Sequence, residues 1–570
     1  MSKKFTTRLL PTLLVLMAML LVACGGSGGS GTTTSGGAQK APQSQQKFRW
    51  AFSLPDILSF DPGIAPDQTS INAINMVFTG LVGLNQQLQV VPQMASSWDA
   101  STDHMTYTFH LRPNLKFSDG TKLDANDVAY SIDRALSPAI NNQSGVGLTY
   151  LGLIQGSTDR TTGKAKTIIG TGVVVQDPNT LVIHLTKPAG YFLQALTYPT
   201  AYVVEKSVAD KYGTGWTDHL VGQGGDGPFM VKSYSHTTGI VFVPNPNYYG
   251  AKPQLAEVDY LPFKDRQTSY NAYQANQNDY SVLPLAQVAS AKSGKDFVQT
   301  PALTIFYVGM NFLVKPLDNI KVRQAFALAV DRDVLNQAAW HGAYIPSCHI
   351  IPQGMPGYNA NLTCPEGTTT KGDAAKAKQL FTQGLQEEGM TLATFPTITY
   401  TYPTQSPESA AQATTLVQMW KTALGVTINA TAKSQNSMYT LESQTTKHNG
   451  PLQMWSGGWG ADYPDPQDWI TLQFGDNQPY NEFNFGDNNG NAQQIALQKQ
   501  MDAADVMTDQ NARIQAYQTI EQQLVNYVTW LSIYQRPEIH VLKTYVVGLK
   551  ENPEAQFGPD SWANVYIAQH

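Results

Sequence analysis

The first 47 residues of the chain determine where folding can begin and in which compartment it takes place. A basic amino terminus precedes an almost unbroken apolar run from Leu9 to Ala23. A helix needs ~20 apolar residues, at about 1.5 Å each, to cross a bilayer, so this run is short for a membrane span and typical of a secretory signal. We therefore predict a signal peptide over residues 1–23 and a folded protein outside the cytoplasm.

The signal ends in Leu21-Val22-Ala23-Cys24. This ending resembles the bacterial lipobox, in which the cysteine is diacylated and becomes the mature amino terminus. Residues 24–47 are rich in Gly, Ser, Thr and Gln, a composition that cannot bury a core, and we predict a flexible tether there. Two or three acyl chains give durable attachment at ~0.8 kcal/mol per buried methylene. We therefore expect a lipid anchor on Cys24 at the outer face of the cytoplasmic membrane.

Composition excludes several classes of protein. The formal net charge is −6 and only 14% of the residues are charged. Because no basic stripe is available to neutralise phosphates, these values argue against a nucleic-acid partner. The sequence contains no H-E-x-x-H motif and no spaced Cys/His cluster, so we expect no cofactor. After the tether about 520 residues remain, enough for two to four structural units.

The two cysteines other than Cys24 lie in a proline-rich segment. One interpretation is a disulfide between Cys348 and Cys364 in an oxidising compartment, which would stabilise the fold by roughly 3 kcal/mol. The alternative is that both thiolates bind a metal together with His349. Two sulfurs and one imidazole would leave the coordination shell of a zinc ion incomplete.

A glycine-rich segment carries the strongest functional signal. Leu452-Gln453-Met454-Trp455 predicts a buried strand, which continues into Ser456-Gly457-Gly458-Trp459-Gly460-Ala461-Asp462-Tyr463-Pro464-Asp465-Pro466. Glycines allow another backbone to approach closely. Asp465 before Pro466 is typical of a helix N-cap and first helical position, which leaves Asp462 without a structural role. A carboxylate among glycines and the rings of Trp459 and Tyr463 is suited to hold a cationic group.

The segment from Trp459 to Pro466 resembles the signature loop of the solute-binding proteins of peptide and nickel ABC importers, the oligopeptide-binding family. Further blocks agree with that family, in the family order and over nearly the whole mature chain. They are Val91-Pro92-Gln93-Met94-Ala95-Ser96-Ser97-Trp98, Tyr107 to Arg112, Lys116 to Gly120, Ala125-Asn126-Asp127-Val128, Gly227-Pro228-Phe229 and Val322 to Arg332.

The resemblance implies an α/β fold of the periplasmic-binding-protein type (type II, peptide-binding cluster). Three domains would form two lobes, with a hinge that closes over the ligand. We expect domain I, in lobe 1, to comprise residues 48–75, 222–308 and 537–570, and domain II, its extension, to comprise residues 76–221. Domain III, residues 309–536, would form lobe 2.

The resemblance also implies ligand-binding roles for individual residues. Asp462 matches the family aspartate that pairs with the α-amino group of a peptide. Gly458 and Gly460 lie where the ligand backbone would hydrogen-bond as an added strand. The loop around Asp67 and Gln68 resembles the opposite side of the clasp. Apart from the resemblance, we expect Trp459 and Tyr463 to offer apolar faces to the ligand, with Trp459 as a wall of the cleft.

The chain departs from the family pattern at one position. Some peptide binders of this type meet the ligand carboxylate with an arginine just before the Gly-Trp pair, and here that position is Ser456. The nearest upstream cations are Lys447 and His448, which we predict to reach the carboxylate of a longer ligand. Sugars, cations and amine-bearing metabolites remain alternative ligands.

These observations predict an extracytoplasmic binding lipoprotein. A monomer would capture a peptide, or a related amine-bearing solute, and deliver it to ABC permease subunits without catalysing a reaction. One alternative is a secreted hydrolase that uses two carboxylates on glycans or peptidoglycan, which turnover of a substrate panel would reveal. Another is a sensor on the same fold that serves no transporter, in which case genes for permeases would be absent nearby.

Overall fold

The structure, a computed structural model, describes residues 39–65, 67–144, 146–404, 407–478, 480–487 and 491–570. The predicted signal peptide, Cys24 and the predicted tether up to residue 38 lie outside the described residues. Residues 40–570 form one unit, which is the subject of this description. No helix in this part of the chain is both long enough and apolar enough to cross a bilayer.

The chain joins the folded unit earlier than its composition predicts. Lys40 forms a β-bridge with Ala568 near the carboxyl terminus. Gln46 is fully buried, and its Nε2 donates hydrogen bonds of 2.8 Å to the carbonyl oxygens of Ala41 and Ile567. The predicted tether is therefore wrong over residues 40–47. The reason is that a glutamine amide can be buried when main-chain groups satisfy it, which composition alone does not show.

One mixed sheet of 11 strands runs through the molecule in the order β15-β14-β16-β12-β17-β11-β1-β10-β9-β8, with β13 paired to β17. A second sheet has four strands in the order β4-β5-β7-β6, and two further pairs are β2-β3 and β18-β19. The strands are β1 (Lys47–Phe52), β2 (Val82–Leu84), β3 (Val90–Pro92), β4 (Ala95–Ala100), β5 (Thr106–Leu111), β6 (Val173–Asp177), β7 (Thr180–His184), β8 (Phe229–Ser235), β9 (Gly239–Pro244), β10 (Glu257–Pro262), β11 (Tyr280–Val282), β12 (Phe297–Met310), β13 (Ile345–Pro346), β14 (Ile398–Pro403), β15 (Ile428–Lys433), β16 (Met454–Gly460), β17 (Trp530–Leu542), β18 (Val546–Val547) and β19 (Tyr566–Ile567).

Helices cover both faces of the large sheet, and short polar side chains cap many of their amino termini. Asp124, for example, forms a capping box with Asp127. The helices are α1 (Gln68–Val77), α2 (Ala125–Ala135), α3 (Pro138–Ser144), α4 (Val146–Leu151), α5 (Ser157–Thr161), α6 (Phe192–Ala195), α7 (Lys206–Tyr212), α8 (Arg266–Gln274), α9 (Leu285–Ala291), α10 (Ile320–Leu328), α11 (Arg332–Trp340), α12 (Ala374–Glu387), α13 (Pro407–Leu424), α14 (Gln435–Thr445), α15 (Pro466–Trp469), α16 (Thr471–Phe474), α17 (Ala492–Asp505) and α18 (Gln510–Tyr527).

The two long strands β12 and β17 connect the two ends of the large sheet. Their antiparallel register runs from Phe297 to Pro301 of β12, is interrupted, and resumes at Ile305. Beyond Ile305, successive residues of β12 face different cores. Phe306 packs against the core that α10 to α13 cover, whereas Tyr307 belongs to the core that α16 to α18 cover. The interruption therefore separates the β1 end of the sheet from the end that carries β16.

Cys348 and Cys364 are joined by a disulfide, with their Cα atoms 5.5 Å apart. The disulfide interpretation is therefore confirmed. The metal alternative is wrong because both sulfurs are bonded to each other, and Nδ1 of His349 lies 3.6 Å from Oε1 of Glu521 instead.

Candidate functional site

Strand β16 has an edge that is only partly paired. On one side β12 pairs with it along its whole length, from Met454 to Gly460. On the other side β14 pairs with Met454 and Trp455 alone. From Ser456 to Gly460, this second edge has no strand partner among the described residues. The glycines therefore lie within the strand, whereas the sequence predicted that the strand would end before them.

The main-chain groups that point to this open edge follow from the register. Beyond the last residue of β16, the Ala461 N–H donates to the Leu303 carbonyl of the β12 side at 2.8 Å. Because antiparallel pairs alternate between bonded and non-bonded positions, Trp459 and Gly457 also bond toward β12. Gly458 and Gly460 then direct their N–H and C=O groups to the open edge.

Two of the glycines are required by the packing of β12. A Cβ on Gly457 would lie 2.4 Å from the ring of Tyr307, and one on Gly458 would lie 2.9 Å from the ring of Phe306. Larger residues would displace these rings. The open edge is therefore bare backbone, which a second chain can approach.

A cavity of about 780 Å³ lies along this open edge. One side of the cavity, called here the aromatic side, is lined by Phe306, Trp340, Tyr344 and Tyr534. The rings of Phe306 and Tyr534 are 5.2 Å apart, and those of Trp340 and Tyr344 are 4.7 Å apart. The cavity thus offers broad apolar surfaces beside unpaired main-chain groups.

The other side, called here the acidic side, is lined by Tyr307, Trp459, Tyr480, Glu442 and Glu482. The rings of Trp459 and Tyr480 meet edge to face at 4.7 Å. The two sides face opposite surfaces of the sheet, because Phe306 and Tyr307 are consecutive residues of one strand. A strand added at the open edge would direct its side chains to the two sides alternately.

Asp462 lies at the end of the open edge, two residues beyond Gly460. The hydroxyl of Tyr150 hydrogen-bonds to its carboxylate, and the ring of Tyr150 stacks on that of Tyr198 at 3.8 Å. Burial raises the pKa of Asp462 to about 7, although the hydrogen bond from Tyr150 acts in the opposite direction. Asp462 does not line the cavity itself, although its charge acts on Tyr480, which does.

Two buried carboxylates accompany Asp462, which is itself half-buried. Oδ2 of Asp468 accepts hydrogen bonds from the Asp462 N–H at 3.1 Å and from Nε1 of Trp459 at 3.4 Å. Oδ1 of Asp468 and Oε1 of Glu554 are buried without a hydrogen-bond partner in the described part of the chain. Burial and the charge of Asp462 raise the pKa of both groups. Among the described residues, no lysine or arginine is one of the groups that shift these three pKa values, so no described cation compensates the cluster.

This cluster predicts that the ligand-free protein loses stability as the pH rises. An unfolded carboxyl group has a pKa of ~4, whereas that of folded Asp462 is about 7. Between these values the folded state binds more protons than the unfolded state, so the free energy of unfolding falls with increasing pH. We expect calorimetric unfolding to show this fall between about pH 4 and about pH 7, and Asp468→Asn to reduce it.

The comparison with the variant is necessary because His540 acts in the opposite sense. Burial lowers the pKa of His540 to about 4, so its contribution to stability increases with pH up to its unfolded pKa of ~6.5. A fall of equal size in the wild type and in Asp468→Asn would contradict the role given to the carboxylate cluster.

The other predicted ligand-binding residues occupy different surroundings. Tyr463 is 1% exposed, and its ring is parallel to that of Tyr191 at 6.1 Å, so it belongs to a core rather than to the cavity wall. Asp67 caps α1 through the N–H groups of Thr69 and Ser70. Gln68 donates at 3.1 Å to the carbonyl of Ala555, next to Glu554. Neither Asp67 nor Gln68 lines the cavity.

Lys447 and His448 are exposed and also lie outside the cavity lining. Nζ of Lys447 donates to Oδ1 of Asn477 at 2.8 Å, and Nδ1 of His448 lies 2.7 Å from the carbonyl of Thr446. The cations that line the cavity are Lys264, Arg266 and Arg536.

Sequence reasoning did not find four acidic residues of this region, namely Asp468, Glu554, Glu442 and Glu482. Asp468 stands in the first turn of α15, where an acidic residue is expected for helix stability alone. The other three belong to no motif. Within the described residues, no three His, Cys, Asp or Glu side chains are grouped so that they could hold a metal ion.

Comparison with known proteins identifies the family. The sequence model described as "Bacterial extracellular solute-binding proteins, family 5 Middle" matches residues 89–481. The chain is 27% identical to the oligopeptide-binding protein OppA of Bacillus subtilis over 84% of this chain and 85% of that protein. It is also 27% identical to the periplasmic oligopeptide-binding protein OppA of Salmonella typhimurium, over 90% of each chain.

A solved structure confirms the predicted fold class. The structure of Haemophilus influenzae OppA in complex with RPPGFSPFR superimposes with a TM-score of 0.73 at 23% identity. The match covers 93% of this chain and 100% of that chain. The α/β fold of the periplasmic-binding-protein type is therefore confirmed.

Proposed function

The chain belongs to the bacterial extracellular solute-binding proteins of family 5, and we propose that it captures peptides with a free amino terminus and delivers them to an ABC permease. Membership of this family confirms the prediction of a binding protein rather than an enzyme. The two similar OppA proteins are named for binding oligopeptides, which supports the same class of ligand here.

The single observation that carries the proposal is an open strand edge that ends at an uncompensated carboxylate. Main-chain groups of Gly458 and Gly460 are available for pairing with an extended chain along the cavity. Such β-augmentation gives affinity through the peptide backbone and tolerates varied side chains. Sugars and metal complexes lack a repeating amide backbone and would leave this edge unpaired.

The carboxylate cluster is suited to the α-amino group of that peptide. An ammonium carries three donors, and Asp468 and Glu554 each have a buried oxygen without a partner in the described part of the chain. A positive charge would also relieve the mutual repulsion of the carboxylates, which otherwise remain partly protonated. Because Asp462 follows β16, a ligand with its amino terminus there runs antiparallel to β16.

The ligand carboxylate then points toward the start of the open edge. We propose that it meets Arg266, because Lys447 and His448 lie outside the cavity. Arg536 is less suited, since its Nη2 is already paired with Oε1 of Glu538 at 2.7 Å. Arg266 has no ion pair among the described residues and is exposed at the amino terminus of α8.

We also propose the three-domain division of the sequence prediction, with closure of two lobes about the β12–β17 connection. The register interruption between Pro301 and Ile305 supports a hinge there. The contact between Tyr150 and Asp462 joins domain II to domain III and would form on closure. We further propose that the protein is a monomer, that it is anchored to the membrane by lipid on Cys24, and that its partner is an ABC permease.

The test has two steps. Native mass spectrometry of the protein purified from its own host is expected to show co-purified peptides. Calorimetry is then expected to show that acetylation of the amino terminus weakens the binding of such a peptide by at least about 30-fold, because the buried charge pair is lost. Co-purification of a sugar or a metal complex would refute the proposal, as would equal affinity for free and acetylated peptides.

A further inference from the structure

The acidic side of the cavity contains two carboxylates that the proposed amino-terminal site does not use. Glu442 lies on α14, and Glu482 lies in the segment between α16 and α17. Both line the cavity, and neither side chain has a hydrogen bond or an ion pair among the described residues. Both are separate from the Asp462 cluster, which does not line the cavity.

The charges of the two glutamates are uncompensated. Burial raises the pKa of Glu442 to about 7. Burial, together with the charge of Glu442, raises the pKa of Glu482 to about 8. No cationic group contributes to either value. The two carboxylates thus line one cavity, and the charge of Glu442 acts on Glu482.

One buried neutral group of the same cavity also lacks a partner, which independently points to a ligand. Gln473 is 1% exposed, lines the cavity, and has no hydrogen-bond partner for its Nε2 in the described part of the chain. Buried polar groups are normally satisfied, so a bound molecule is the expected partner.

We propose that Glu442 and Glu482 form a second cation site that binds a basic side chain, Lys or Arg, of the peptide. This inference rests on the proposed function and names the class of peptide. The rings of Trp459 and Tyr480 beside the glutamates would pack against the aliphatic part of such a side chain and contribute a cation–π contact.

The strand geometry restricts which ligand residue reaches this site. The side chain of Trp459 faces the acidic side, and in antiparallel pairing directly opposite side chains lie on the same face. Only ligand residues opposite Gly457 or Trp459 would therefore meet the glutamates. Their neighbours along the peptide would face the aromatic side, where Phe306 and Tyr534 favour apolar side chains.

The test is a calorimetric position scan with tetrapeptides of alanine. Each position carries in turn Lys or the neutral isostere norleucine, and every peptide keeps a free amino terminus. We expect the wild type to prefer Lys by about tenfold at one position, or at alternate positions, and to show no preference at the positions between. The double variant Glu442→Gln/Glu482→Gln is expected to lose the preference.

A matched control is Glu408→Gln, because Glu408 lines the same cavity and neighbours Tyr344 of the aromatic side. This variant is expected to keep the preference for Lys. Binding of the norleucine peptides by every variant reports that the protein is folded and that the amino-terminal site is intact.

Proton release provides a second measurement. The titratable groups around the two glutamates are Tyr307, Tyr439 and Tyr480, which stay neutral near pH 7 because the ordinary pKa of a phenol is ~10. Binding of a Lys peptide should therefore release more protons at about pH 7 than binding of its norleucine counterpart, because a cation favours ionised glutamates. Calorimetry in buffers of different ionisation enthalpy measures the difference, which should vanish in the double variant.

The outcomes separate this inference from the proposed function. Binding of the neutral peptides without a preference for Lys at any position would overturn the second cation site alone. A preference for Lys that survives in the double variant would also overturn the second cation site. Tight binding of a divalent metal ion to Glu442 and Glu482 in the absence of peptide would overturn it as well. Failure of every peptide to bind would overturn the proposed function itself.

Discussion

Replacing Asp462 with asparagine is expected to weaken the binding of a peptide with a free amino terminus by about 2–5 kcal/mol. Asparagine preserves the shape of the side chain and an oxygen that accepts the Tyr150 hydroxyl. It removes the charge that pairs with the ammonium in surroundings where water screens little. Calorimetric titration with a peptide identified from the native protein measures the loss.

The acetylated form of the same peptide serves as the control for this variant. If Asp462 acts on the α-amino group, the variant and the wild type should bind the acetylated peptide with similar affinity, as in a double-mutant cycle. Unchanged affinity of Asp462→Asn for the free peptide would remove the anchoring role. An equal loss for both peptides would indicate that the variant disturbs the loop rather than the charge pair.

Replacing Arg513 with methionine is expected to lower the free energy of unfolding by about 3–5 kcal/mol, because it leaves a buried charge unpaired. Nη1 and Nη2 of Arg513 donate to the two carboxylate oxygens of Asp465 at 2.7 and 2.5 Å. The side chains are 0% and 4% exposed, respectively. Burial alone would lower the pKa of Arg513, but the charge and hydrogen bonds of Asp465, together with Tyr517 and Asp505, outweigh burial and raise that pKa.

This ion pair matters to the site because it fixes the loop that follows Asp462. Asp465 caps α15 through the N–H of Gln467 and is held to α18 by Arg513. The guanidinium also lies 5.5 Å from the ring centroid of Tyr191 and 5.1 Å from that of Tyr517. We therefore expect the variant to weaken peptide binding as well, through loss of the position of Asp462.

Urea denaturation measures the stability change, and the exposed pair of Lys206 and Asp210 provides the control. Their side chains are 56% and 51% exposed, so Lys206→Met should change the stability by no more than about 0.5 kcal/mol. The double variant Arg513→Met/Asp465→Leu should regain part of the loss, since no unpaired charge remains. A cost of Arg513→Met similar to that of Lys206→Met would contradict the assignment.

Local features of the fold were predictable because neighbouring residues determine them. The capping box at Asp124, the N-cap at Asp465 and the hairpin of β6 and β7 depend on hydrogen bonds within a few residues. The disulfide was predictable only as one of two interpretations, because the distance between the two cysteines was unknown. The fold class came from the family resemblance, and the comparisons confirm it.

Predictions failed where distant segments decide the outcome. Composition assigned residues 40–47 to a tether, yet main-chain groups near the carboxyl terminus satisfy Gln46. Glycine is depleted in strands, so the predicted strand stopped at Trp455, whereas pairing with β12 extends β16 to Gly460. The placement of Lys447 and His448 in the cleft remains a prediction, although both side chains lie outside the cavity lining.

The sequence by itself determined the family, the N-cap at Asp465 that follows Asp462, and the glycines that precede Asp462. Each of these features depends only on residues that are contiguous in the chain. Only the tertiary structure decided that β14 pairs with no residue of β16 beyond Trp455 and leaves an edge open. It also brought Glu554 to Asp462, and Glu442 to Glu482, across long separations in sequence. Their raised pKa values have the same origin, since desolvation is a collective property of all surrounding atoms and no single segment encodes it.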